Sequence, residues 1–269
     1  MAQLPRLVVT AIVLGLGISY LWFAVSDWRL TDAEAYWNAA MRLRDGLPLY
    51  PPLSNVEASD VYRYAPWFAW LAVPLTFLPV AVAGALWSTV LVLASCFAIL
   101  PLVHRGAWLA AAFFWPILIG ISAIGNVQPL LVAALVLGVE RRSGPLWIAA
   151  AASLKVVPIL FTLVYLGRRE WGRAAAAFAI TIVLVAPAFL YDLSGYPSDA
   201  GRAAGLFQEP PLYVAVVLVL AATSLLAAKS RGAWLAAAAT AVVALPRLFV
   251  YDVTFVLIGL PAEPDESQT

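Results

Sequence analysis

The sequence predicts an all-α, polytopic integral membrane protein, and three observations carry that prediction. Apolar residues make up 64% of the chain and charged residues only 12%, whereas a soluble domain carries about 25% charge to cover its surface. The apolar residues run in long blocks, with a mean hydropathy of +0.91. Leu7 to Ser26 is the first such block, and about 20 helical residues at 1.5 Å each cross the ~30 Å core of a bilayer. Third, most of the positive charge after residue 100 falls in short clusters between blocks. The expected architecture is one transmembrane domain over 1–260, with about eight transmembrane helices plus interfacial and re-entrant helices.

Composition also excludes function classes. A net charge of +1 offers no basic stripe for a phosphate backbone, so no nucleic acid partner is expected. Cys96 is alone inside an apolar run and His104 is the sole histidine. Neither a disulfide framework nor a multi-histidine metal centre is available. No cofactor is expected; assistance by a divalent ion stays open. Tyr20, Trp22 and Phe23 stand where a signal peptide would need small residues for cleavage, so the first block reads as a retained helix.

The clusters His104-Arg105, Arg141-Arg142, Arg168-Arg169 with Arg173, and Lys229 with Arg231 orient the helices, because short cytoplasmic loops carry the positive excess. Placing all four inside gives one path. Helix 7–26 runs outward and 27–64 forms a first external loop. Helices 82–103, 107–124 and 126–139 then run in, out and in. Helix 174–191 runs out, 192–211 is a second external loop, 212–228 returns and 232–250 leads out. Residues 65–80, with prolines at 66, 74 and 79 among aromatics, read as an interfacial helix. Residues 145–167 carry arginines at both ends and a Lys155-Val-Val-Pro158 break. They read either as two half-depth arms meeting near the midplane or as an ordinary span that violates the charge rule. The apolar stretch 251–260 is short for a span, and 261–269 is a polar tail expected to be disordered.

In the first loop, Thr31 and Glu34 match a capping box opening a short amphipathic helix through about Leu43, ended by Gly46-Leu-Pro48. Ala33, Trp37, Ala40 and Met41 share a face suited to lying on the membrane, and Asp32, Tyr36 and Leu43 share another. Asp32 either complements the helix dipole or, ionised at the lipid–water boundary, accepts a proton from a hydroxyl nucleophile. Lys155 is a charge amid apolar residues, suited to a lipid-linked phosphate or to snorkelling. Arg63, between Tyr62 and Tyr64, either clamps a phosphate or anchors a headgroup. Asn126 and Gln128 bind sugar hydroxyls or cap the helix they open. Arg247, Tyr251 and Asp252 cluster, an Arg247–Asp252 ion pair being the plain account. Arg202 and Glu209 are most simply solvated.

Several of these segments together resemble one family. Asp32-Ala-Glu-Ala-Tyr36, Ala39-Ala40, Gly46, Leu49-Tyr50 and Tyr62-Arg-Tyr64-Ala-Pro66, followed by Pro74, Leu78-Pro79 and Leu86-Trp87, look like the first-loop signature of family-87 glycosyltransferases. Gly125-Asn-Val-Gln128 is similar to that family's Gly-Gln-x-Asn element with the amides exchanged. Lys155-Val-Val-Pro158 with Arg168-Arg169-Glu-Trp171, and Pro246 with Tyr251-Asp252, resemble its later elements. Typical members are longer, so the chain resembles a shortened form.

The resemblance implies a GT-C fold and a polyprenol-phosphate-mannose-dependent α-1,2-mannosyltransferase type of reaction. In that case Asp32 is the catalytic base, and Lys155 and Arg63 hold the donor phosphate. Tyr36, Tyr64, Asn126, Gln128, Arg247 and Asp252 are candidate substrate contacts. The implied partners are a polyprenyl-phosphate sugar donor, a lipid or glycolipid acceptor and membrane lipids. The implied setting is the plasma membrane, with the site on the non-cytoplasmic side. A transporter with a midplane site at Lys155, and a non-catalytic relative binding lipid-linked sugar, are the competing readings.

Overall fold

The computed structural model describes residues 31–52, 61–196 and 209–260, together with Ala11 and Gly15, both helical. The rest of predicted helix 7–26, residues 53–60 of the first loop, residues 197–208 with Arg202, and the 261–269 tail lie outside the described residues.

Every regular element among the described residues is helical. Two are long and apolar enough to cross a bilayer. The first is α3, Val80–His104, after α1 (Thr31–Arg44) and α2 (Pro66–Ala72). The second is α8, Trp171–Val185, which continues as a 3-10 segment to Leu190. Val82, Leu86, Val90, Leu93, Phe97 and Leu100 are exposed along α3. Their three- and four-residue steps form one apolar stripe, a surface suited to lipid and not to water. The other apolar helices are 10–17 residues long. They include α4 (Trp108–Ala123), α5 (Gln128–Gly138), α9 (Pro210–Leu226) and α10 (Ala233–Val243). Buried hydroxyls join neighbours: Ser95 meets Ser122 at 3.1 Å between α3 and α4, and Ser224 meets Thr240 at 2.8 Å between α9 and α10. In an apolar surround such pairs hold helices together by about 0.6 kcal/mol each, more when well aligned.

The helix α5 gives the bundle two ends. Asn126, before its start, donates to Asp32. Glu140, beyond its end, accepts both guanidinium nitrogens of Arg168. Arg173 donates to the carbonyls of Val139 and Arg141, Arg168 also donates to that of Ala228, and Arg105 and Arg231 line one cavity with Glu140. All four basic clusters therefore meet at one end, with Asp32 at the other.

Residues 145–167 form a hairpin. Helix α6, Gly144–Leu154, rises from the basic end, and Lys155 at its top reaches Gln128 at the start of α5. A 3-10 segment, Val157–Phe161, and α7, Thr162–Gly167, then return the chain to Arg168. Eleven residues rise about 16 Å, half of a ~30 Å bilayer core. The arginine-flanked segment thus turns back instead of crossing the bundle.

The last element is short for a span, as expected, but is wound differently from the α-helices. Val250–Gly259 is a 3-10 helix of 10 residues. At about 2.0 Å per residue it covers ~20 Å, where an α-helix would cover ~15 Å. It runs from Asp252 beside Lys155 down to Gly259. There an added Cβ would lie 2.1 Å from the backbone nitrogen of Leu235. Even at 3-10 rise the segment stays below the ~30 Å of a bilayer core.

Helix α1 also differs from expectation in two ways. Thr31 already lies inside the helix, and no side-chain hydrogen bond joins it to Glu34. The first-turn N–H of Asp32 is met by the Ile124 carbonyl at 3.1 Å. A tertiary acceptor has replaced the local capping box, leaving Glu34 exposed. Ala33 and Ala40 do not lie on a membrane surface but are buried. Ala33 packs on Gly125, whose φ is +81° and whose added Cβ would sit 2.6 Å from the Ala33 Cβ. Gly125→Ala should lower the unfolding temperature by several degrees, from steric overlap and backbone strain of roughly 1–3 kcal/mol. Gly46→Ala, where φ is +69° but an added Cβ meets nothing within 4 Å, should cost less. Thermal unfolding in detergent distinguishes the two.

The 65–80 segment is α2 followed by a 3-10 turn, Val73–Phe77. Pro74 lacks the N–H that would continue the α-helix. Phe68 and Ala69 are buried, while Trp70, Leu71 and Phe77 are exposed. Arg44 of α1 clamps the turn by donating to the carbonyl and hydroxyl of Thr76 at 3.0 and 3.2 Å.

Candidate active site

A row of polar side chains crosses the upper end of the bundle. Asp32 Oδ2 accepts from Asn126 Nδ2 at 2.7 Å, and Asn126 Oδ1 accepts from the backbone N–H of Gln128 at 2.9 Å. Gln128 Oε1 accepts from Lys155 Nζ at 2.8 Å. Lys155 in turn makes an ion pair with Asp252 Oδ1 at 3.1 Å. Gln128 Nε2 donates to Thr254 Oγ1 at 3.2 Å, and Asp252 Oδ2 accepts the Phe249 backbone N–H at 2.9 Å. Five separate parts of the chain supply this row: the start of α1, the turn before α5, α5 itself, the top of α6 and the final 3-10 helix.

Local chemistry explains each placement. Gly125 adopts a left-handed conformation in the α4–α5 turn, which presents Asn126 with its side chain both capping α5 and reaching Asp32. Gln128, the first residue of α5, is fully buried, with both ends of its amide occupied. Lys155 ends α6 in an extended conformation just before Pro158, so its ammonium projects from the hairpin apex. It also lies 4.6 Å from the centre of the Tyr251 ring. On the 3-10 helix, Tyr251 and Thr254 eclipse one another at i and i+3, and the Thr254 hydroxyl donates to the Tyr251 carbonyl at 2.6 Å.

Burial pushes the Asp32 carboxyl above the usual carboxylate range. The Asn126 hydrogen bond and the charges of Lys155 and Arg63 act in the opposite direction without cancelling it. Asp32 is therefore a stronger proton acceptor than an exposed aspartate. Both cations act on this carboxylate, so the structure brings Asp32, Lys155 and Arg63 into one electrostatic neighbourhood. Arg63 Nη1 donates to the Val61 carbonyl at 3.2 Å, and its own carbonyl accepts from Tyr196.

An aromatic wall flanks the row. The Tyr36 hydroxyl donates to that of Tyr64 at 3.2 Å and accepts from the Val127 N–H at 3.3 Å. Tyr36 meets Tyr64, Phe68 and Trp87 edge-on, at centroid distances of 5.2, 5.0 and 5.9 Å. Burial raises both the Tyr36 and Tyr64 phenols, which keeps them neutral. Behind Tyr36 an apolar cavity of about 160 Å³ opens between α1, α2 and α3. The Trp37 indole N–H borders it and has no hydrogen-bond partner among the described residues.

Two expected contacts are rearranged. Arg247 does not pair with Asp252; its guanidinium lies 4.7 Å from the Phe249 ring, and Asp252, 1% exposed, is taken by Lys155. Lys155, the better-buried cation, has the most to gain from a carboxylate partner. Thr254 escaped the sequence reading. The signal for it is the polar Asp252-Val-Thr254 interruption in an otherwise apolar stretch. No group of three or more histidine, cysteine, aspartate or glutamate side chains suited to a metal occurs among the described residues.

The model of glycosyltransferase family 87 matches residues 62–199, more than half of the chain. The chain belongs to glycosyltransferase family 87. No curated protein and no solved structure matches it. This family-87 protein is a membrane glycosyltransferase, and its family implies a sugar donor and an acceptor. The matched region contains Arg63, Tyr64, Asn126, Gln128 and Lys155; Asp32 and Asp252 lie outside it and join the site through the hydrogen bonds above.

Proposed function

We propose that this family-87 protein transfers a sugar, mannose by its family resemblance, from a polyprenyl-phosphate donor to a hydroxyl of a lipid or glycolipid acceptor. The reaction takes place on the non-cytoplasmic face of the plasma membrane, in a domain of about eight spans with a GT-C fold. The observation that carries this reading is Asp32. Its carboxylate has raised proton affinity, one oxygen is held by Asn126, and the other makes no hydrogen bond to a described residue.

Asp32 takes the proton of the acceptor hydroxyl as its oxygen attacks the anomeric carbon from the face opposite the phosphate. The glycosidic bond forms, the anomeric carbon–oxygen bond to phosphate breaks with inversion, and polyprenyl phosphate leaves. Negative charge moves from Asp32 to the leaving phosphate, where Arg63 and Lys155 stabilise it. Lys155 gives two of its three N–H donors to Gln128 and Asp252, which leaves a third for a phosphate oxygen. Tyr36 and Tyr64 bind sugar or acceptor hydroxyls. The apolar cavity behind Tyr36 accepts part of a prenyl chain, and Arg247 guards the rim on the Phe249 side.

The test is a transfer assay in proteoliposomes with radiolabelled polyprenyl-phosphate-mannose and a glycolipid acceptor. Labelled product and free polyprenyl phosphate are the expected outcome. Tight donor binding without turnover would instead identify a non-catalytic relative, and donor flux without sugar transfer a transporter. The pH profile gives a second check. A base is lost as pH falls through its raised pKa, so the acidic limb of kcat/KM should lie above the ordinary carboxylate value of about 4. Asn126→Ala removes an interaction that lowers this pKa and should move the limb to higher pH.

A further inference from the structure

We propose that the end of the bundle opposite Asp32 holds a binding site for the phosphate headgroup of an anionic membrane phospholipid, seated between Arg105 and Arg231. The two arginines come from different elements, one just after α3 and one just before α10, and converge on a cavity of about 360 Å³. Neither side chain makes a hydrogen bond or ion pair with a described residue. The one carboxylate in the cavity, Glu140, is already neutralised: Arg168 holds both its oxygens, at 2.9 and 3.0 Å, and the Trp234 indole N–H donates to it. Two uncompensated guanidinium groups therefore face the cavity, and a guanidinium fork matches phosphate oxygens in geometry as well as charge.

The remaining wall selects a lipid over free phosphate. Leu102, Val136, Leu137, Leu257 and Leu260 line it. Leu137 is shared with a second, largely apolar cavity of about 370 Å³ that runs beside Leu93 and Phe97 of α3 and ends at Arg141. A headgroup between the arginines thus has an apolar groove leading from it along the exposed stripe of α3, where acyl chains lie. Fourteen residue steps, roughly 21 Å at 1.5 Å each, separate Asn126 from Glu140 across α5, so this site is distinct from the Asp32 row and does not depend on the transfer chemistry.

The experiment titrates the full chain in detergent with short-chain phosphatidylglycerol, phosphatidylcholine and inorganic phosphate, reading affinity by thermophoresis. Phosphatidylglycerol should bind at least about tenfold more tightly than either competitor. The R105Q/R231Q variant should lose affinity on the order of thirtyfold, while R142Q/R169Q, which neutralises two exposed arginines outside the cavity, loses little. Leu137→Trp, which fills the groove and keeps both charges, should also weaken binding. R105K/R231K should retain part of it. The last two carry the test if the double glutamine variant does not fold. Equal losses in R142Q/R169Q would reduce the effect to general surface charge. Inorganic phosphate binding as tightly as the lipid would make this a free-anion site. A tenfold gain in E263Q/D265N/E266Q would assign the cavity to the acidic C-terminal residues of the chain itself. Any of these three results overturns the proposal.

Discussion

Asp32→Asn should reduce sugar transfer about a thousandfold, the effect expected for loss of a positioned general base. Asparagine retains the shape of the side chain and can still accept the Asn126 hydrogen bond, so the row stays assembled and donor affinity should change little. The loss belongs in kcat. Stability supplies the control. A carboxyl whose pKa is raised on folding weakens the fold once pH exceeds the unfolded value, and Asp32 is such a group. Replacing it with a neutral amide should leave the unfolding temperature unchanged or raise it slightly. Glu34→Gln, two residues on and exposed, should transfer sugar normally. Transfer preserved in Asp32→Asn would remove the aspartate from the mechanism.

Asp252→Ala should be the most destabilising single change in the site, by about 3–5 kcal/mol. It strands the Lys155 ammonium, 16% exposed, and frees the Phe249 N–H that Asp252 accepts. A fall of about 10 °C or more in unfolding temperature is the expected reading. Lys155→Met should cost a similar amount by stranding the carboxylate. The double variant Lys155→Met/Asp252→Leu should recover most of the loss, because an apolar pair of similar volume carries no uncompensated charge. It should nonetheless transfer sugar poorly, since the hold on Gln128 and the positive charge acting on Asp32 are both gone. Additive losses in the double variant would show that the two side chains act separately.

Much of the architecture is legible because it rests on local pattern. Apolar blocks give the helices, and the basic clusters give their directions: Arg141, Arg168 and Arg231 do meet at one end. The same logic makes the 145–167 hairpin readable from its two flanking arginine pairs. Long-range choice is what local pattern misses. Asp252 has Arg247 five residues away, yet pairs with Lys155 97 residues distant. Which cation is buried depends on packing that no window of sequence contains. Thr31 and Glu34 fit a capping motif, but the Ile124 carbonyl, brought close by the Gly125 turn, satisfies the first turn instead. The 250–259 stretch is short for a span in the structure as well, yet its 3-10 geometry is a feature the sequence does not display. Apolar content and length are visible in a sequence, but winding is not.

That winding has a mechanical consequence. The final 3-10 helix holds Asp252 at one end, and Gly259 at the other is wedged against Trp234 and Leu235 beside the arginine-lined cavity. Ten residues rewound from 3-10 to α geometry shorten by about 5 Å. The segment is thus a strut whose length is set by its winding. With its foot clamped at Gly259, any rewinding draws Asp252 away from Lys155, and the tighter winding is what keeps the ion pair at its working height.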